Sequence, residues 1–123
     1  RLKECLLAHE DLKKKGIDIT IADARFAKPL DENLIWQLAT DHEIIISIEE
    51  GSIGGFGSHV SHFLSEKNLL DKNLKFRSMI LPDVFLDHNN PEIMYKNAGL
   101  DAQSISSKII DILNSKIVIK KTN

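Results

Sequence analysis

Residues 43–58 read EIIISIEEGSIGGFGS, and the fold turns on how this stretch is parsed. Ile44, Ile45, Ile46 and Ile48 surround a lone Ser47, a run too apolar for a strand with one wet face. Such a run suits a central parallel strand covered on both faces. Glu49 and Glu50 stand where the strand ends, Gly51, Gly54, Gly55 and Gly57 make the following loop, and Ser58 is a candidate N-cap for the next helix. In an open α/β sheet, ligands and partners gather at the carboxyl ends of strands, beside helix N-termini. The loop is therefore the first place to look for function.

Its spacing, G-x-x-G-G-x-G, differs from the dinucleotide fingerprint G-x-G-x-x-G and lacks the Lys-Ser/Thr of a phosphate loop. Glu49 and Glu50 would also set negative charge beside any bound phosphate. Three readings stay open: a tight strand-to-helix turn whose glycines allow close packing, an anion or cofactor site in the loop 51–57, and a protein contact surface.

Working outward, helical spacing of Leu2, Cys5, Leu6, His9 and Leu12 predicts a first helix, with Lys13, Lys14 and Lys15 at its C-terminus and Gly16 closing it. His9 is expected as a packed histidine of that face. Ile17, Ile19 and Ile21 alternate with Asp18, Thr20 and Ala22, which predicts a strand over 17–22. Asp31 should cap a helix carrying Leu34, Ile35, Leu38 and Ala39, with Trp36 off the apolar face. After the glycine loop, Phe56, Val60, Phe63 and Leu64 form one helical stripe. Residues 76–81 read as the next strand. Asn90 and Pro91 open a short helix that Gly99 closes, and Asp101 caps a last one facing inward through Ile105, Ile109, Ile112 and Leu113. Residues 116–123 read as a fraying tail. The pattern is a succession of βαβα units in one domain over 1–123.

Sixteen basic and 18 acidic residues leave a net charge of −2, with no basic stripe for nucleic acid and no membrane-length apolar run. The single Cys5 excludes an internal disulfide and suits a reducing, cytoplasmic compartment. The chain opens on Arg1, as expected of a fragment, a processed product or part of something longer. Cys5 faces inward and no serine lies in a nucleophile elbow, so nucleophilic chemistry has no candidate. Glu49 and Glu50, as neighbours, point to opposite sides and cannot easily flank one bond. An ion pair from Arg25 to either is expected. His59, His62 and Glu66 have a spacing that could set ligands on one helix side, but a solvated helix face is the better reading.

Four ordered segments then point to a family. Asp23-Ala24-Arg25-Phe26-Ala27-Lys28-Pro29-Leu30-Asp31 resembles the D-A-R-F-x-K-P-L-D signature of the 1-deoxy-D-xylulose-5-phosphate synthase family, in its transketolase-like C-terminal domain. Glu49-Glu50 with Gly54-Gly55-Phe56-Gly57-Ser58 is similar to that family's E-E…G-G-x-G-S turn. Leu81-Pro82-Asp83-Val84-Phe85 with His88, and Ala98-Gly99-Leu100-Asp101-Ala102 with Ile105, are similar to its L-P-D-x-F-x-x-H and A-G-L-D-A-x-x-I segments. The wider transketolase C-terminal group shares the K-P-L-D and E…G-G patterns.

The resemblance implies a three-layer α/β/α domain with a mostly parallel sheet whose first strand precedes Arg1. That strand would lie between 17–22 and 43–48; without it, those two segments would pair directly, or another chain or an upstream piece would fill the gap. The resemblance also implies an intact bacterial, cytoplasmic transferase using thiamine diphosphate and Mg²⁺ and feeding isoprenoid, thiamine and pyridoxal phosphate synthesis. The cofactor would sit in other domains, since no G-D-G…N-N motif is present and no catalytic, cofactor or metal residue carries over. Arg25, Lys28, Glu49, Glu50, Gly54, Gly55, Gly57 and Asp83 are the candidate interface positions. The partners implied are the remaining domains and a second, identical subunit. An independent anion- or small-molecule-binding domain using the loop 51–57 is the alternative.

Overall fold

Three helices of the computed structural model stop by the same device. Helix α1 (Leu2–Lys14) ends with the Gly16 amide on the Lys13 carbonyl and the Ile17 amide on that of Leu12. The same pair of bonds closes α3 (Phe56–Glu66) at Asn68 and Leu69, and α4 (Pro91–Asn97) at Gly99 and Leu100. This arrangement needs one left-handed residue, and Gly16, Asn68 and Gly99 all have positive φ. The structure describes residues 1–82 and 90–122, with the helical backbone alone over 116–122. Among these, the other elements are α2 (Glu32–Asp41), β1 (Ile44–Ile48), β2 (Lys75–Met79) and α5 (Ala102–Thr122). The chain divides into two compact units.

The first unit is Arg1–Ala22 with Asp87–Asn123. In it α1 packs on α5, burying Ala8, Leu12, Ile105 and Ile112, with Leu100 ahead of α5. The Glu4 carboxylate accepts the Ala102 amide at 2.8 Å, while Asp101 accepts the Ser104 amide as the expected cap. Glu4, Ala8 and Leu12 recur every four residues and so share the packed face. Leu2 and Leu6, expected on the buried stripe, are instead about half exposed. His9 is half-buried with Nε2 3.6 Å from Asp18 Oδ1. Of the expected fraying tail 116–123, the described part is helical, because α5 runs on to Thr122.

Residues 17–22 are where the strand expectation fails. Ile17, Ile19 and Ile21 are half-buried and Asp18, Thr20 and Ala22 exposed, so the alternation is present, yet among the described residues this segment belongs to no strand. Alternation is a local property of extended chain, whereas a ladder requires a partner at the right edge.

The second unit, Asp23–Leu86, holds the sheet. β1 and β2 pair in parallel, Ile45 opposite Phe76 and Ser47 opposite Ser78. Ile35, Ala39, Val60, Phe63 and Leu64 form one core cluster with Ile45, Phe56 and Phe76, so α2 and α3 cover one sheet face. On the other face Ile44, Ile46 and Ile48 stand beside Lys75, Arg77 and Met79 and are half-buried. Among the described residues this unit has a parallel sheet of two strands with α2 and α3 on one face, the mixed α/β character expected. Asp31 caps α2 by accepting the Leu34 amide at 3.1 Å, and Trp36 is 47% exposed, off the core face as expected.

Candidate functional site

The site is built from the carboxyl end of β1 upward. The Glu49 amide donates to the Met79 carbonyl, which keeps the residue in register just beyond the strand. Its carboxylate then reaches back over the loop to the first turn of α3. Oε1 accepts the Phe56 amide at 3.0 Å and Oε2 accepts the Gly57 amide at 2.5 Å. A helix N-terminus has orphan N–H groups and a partial positive charge, and a carboxylate satisfies both. The neighbouring amides of Gly55 and Ser58 donate to the carbonyls of Ser52 and Gly55. The amides of residues 54–58 are therefore all engaged.

The glycines make room for that carboxylate. A Cβ on Gly55 would meet Glu49 Oε1 at 2.1 Å, and one on Gly51 would meet it at 2.7 Å. A Cβ on Gly57 would stand 2.6 Å from Ser78 Oγ, 2.7 Å from Ser47 Oγ and 3.2 Å from Glu49 Oε2. Gly54 serves the backbone instead, with φ of 99° and open space around it. Ser47, the one break in the isoleucine run, is thereby explained. Paired with Ser78 and bonded to it at 3.3 Å, it makes a low spot on the sheet. Gly57 lies over that spot, which brings α3 close enough for Glu49 to reach its amides.

Two expectations about this turn are corrected. Ser58 is not the N-cap: the helix begins at Phe56 after Gly55, and the Ser58 hydroxyl accepts the Gly54 amide at 2.9 Å. Nor does Arg25 pair with Glu49 or Glu50 among the described residues. Arg25 is exposed in a left-handed turn, φ 56°, whose amide donates to Asp23 Oδ1 at 3.2 Å. Glu49 is committed to the α3 amides, so a guanidinium is not required to balance it. Glu50 is exposed. Asp83, with Val84, Phe85 and His88 of the same segment, lies outside the described residues.

Lys28 is exposed and lines an open depression of about 310 Å³ with Glu32, His59, His62, Glu66 and Lys67 over a floor of Phe63. Charges of both signs ring it. Among the described residues no group of three His, Cys, Asp or Glu side chains could hold a metal ion; His62 and Glu66 are exposed and His59 is half-buried. Cys5 is half-buried, and burial pushes its thiol above the ordinary range, which suppresses the reactive thiolate.

A family model, the C-terminal domain of transketolase, matches residues 1–105. The chain belongs to the transketolase C-terminal domain family. That family occurs in enzymes dependent on thiamine diphosphate, among them transketolase, 1-deoxy-D-xylulose-5-phosphate synthase and pyruvate dehydrogenase E1. The match includes the glycine turn, both strands and α4, the elements that hold the Glu49 brace and the closing Gly99. At the α3 turn the Phe56 and Gly57 amides are not free for a diphosphate. The diphosphate-magnesium group wants free helix N-terminal amides and oxygen ligands to the metal. At α3 those amides hold Glu49, and among the described residues no metal-competent cluster exists. No described helix is long and apolar enough to cross a membrane.

Proposed function

We propose that the chain is the C-terminal domain of a 1-deoxy-D-xylulose-5-phosphate synthase, serving domain packing and the homodimer interface. The intact enzyme condenses pyruvate with glyceraldehyde 3-phosphate and releases carbon dioxide, with thiamine diphosphate and Mg²⁺ held by its other domains. The narrower assignment within the family is supported by the segments 23–31 and 98–102, which carry R-F beside K-P-L-D and the A-G-L-D-A closure.

The observation that carries the non-catalytic reading is the Glu49 carboxylate on the Phe56 and Gly57 amides. The turn that would otherwise serve an anion is closed by the chain's own side chain, and it becomes a rigid support. Ile53, within that turn, is 77% exposed, an apolar side chain on a braced backbone. The outer edge of β1 supports an interface role as well. Bonds from the Lys75 amide to the Glu43 carbonyl and from the Glu49 amide to the Met79 carbonyl set the odd-numbered residues toward β2. The backbone groups of Ile44, Ile46 and Ile48 therefore face away from β2, with no ladder partner among the described residues. At β2 the Arg77 guanidinium covers the outward Phe76 carbonyl at 2.7 Å, a protection that proteins commonly give to exposed edges.

The test is a product assay on the complete coding sequence containing these residues. Labelled pyruvate and glyceraldehyde 3-phosphate should yield 1-deoxy-D-xylulose 5-phosphate and carbon dioxide in equal amounts. Ketol transfer between sugars, or acyl transfer from a 2-oxo acid without this product, would overturn the assignment while leaving the family intact.

A further inference from the structure

We draw no further inference here: the strongest candidate, the unpaired outer edge of β1 at Ile44, Ile46 and Ile48, belongs to the interface reading already proposed, and nothing in the structure shows what covers it.

Discussion

Glu49 and Gly57, eight residues apart, are joined by a carboxylate-to-amide hydrogen bond of 2.5 Å that ties the end of β1 to the start of α3. The bond exists because Gly57 has no side chain: a Cβ there would meet Ser47, Ser78 and the carboxylate itself. Strand end, loop and helix start are thus one mechanical unit, and removal of either partner should disturb all three.

Glu49→Gln keeps the shape of the side chain but offers one acceptor oxygen where two amides need one each. Hydrogen bonds to a charged group are worth about 1.5–3 kcal/mol. The substitution should cost about 1–3 kcal/mol of stability, and Glu49→Ala at least as much. Urea denaturation with an unchanged m value checks it; a loss within about 0.5 kcal/mol, ordinary for a surface site, would show that the brace is idle.

Gly57→Ala should destabilise by about 1–3 kcal/mol through overpacking against two serine hydroxyls. Gly16→Ala has nothing within 4 Å of its new Cβ and should lose only the backbone cost of φ +77°, about 1–2 kcal/mol. The two differ in rescue. Shortening Ser47 and Ser78 to glycine should recover part of the Gly57→Ala loss and none of the Gly16→Ala loss, a coupling that a double-mutant cycle measures.

Much of this architecture is legible in the sequence, and the parts that are not share a cause. Gly16, Asp31, Asn90, Gly99 and Asp101 act through bonds a few residues long, so their residue types announce helix ends directly. The stripe Val60, Phe63, Leu64 is a local periodicity and is equally plain. Ser58 misleads because a cap residue ordinarily stands next to its helix, whereas Glu49 caps this one from across the loop. Ser47 looks like an interruption until its register with Ser78 and its place beneath Gly57 are known. Likewise 17–22 has the alternation of a strand, but a ladder depends on which edge lies beside it. Glu4, on an apparently apolar helix, is drawn inward by the α5 amide at Ala102, a partner 98 residues away.

Arg25→Ala should change stability by no more than about 0.5 kcal/mol, since Arg25 is exposed and has no ion pair with Glu49 or Glu50 among the described residues. Thermal unfolding of this variant beside Glu49→Ala is the check. Equal losses in the two would restore the ion pair and remove the case for the helix brace.

Cys5 should label slowly. Its thiol is half-buried and held in the protonated form, so alkylation at mildly alkaline pH should be slower in the native chain than in urea. Mass spectrometry of the alkylated protein reads this directly. Native labelling as fast as in urea would mean that α1 does not cover the residue as described.

Asp11 lies 3.0 Å from the Lys15 ammonium, whose hydrogen bond and charge lower its carboxyl below the ordinary value. A depressed folded-state value means that this contribution is present above the unfolded carboxyl's range and is lost as pH falls through the folded one. Asp11→Asn should therefore flatten the acid limb of the stability curve slightly and leave neutral and alkaline pH dependence unchanged. A change confined to alkaline pH would contradict the pairing.

The most direct test of the Glu49-filled turn is amide NMR of the chain titrated with inorganic phosphate and then with thiamine diphosphate and Mg²⁺. The Phe56 and Gly57 resonances should stay in place up to millimolar ligand, because their protons already point at Glu49. A saturable, micromolar shift of those two amides would show a working anion cradle and contradict the account.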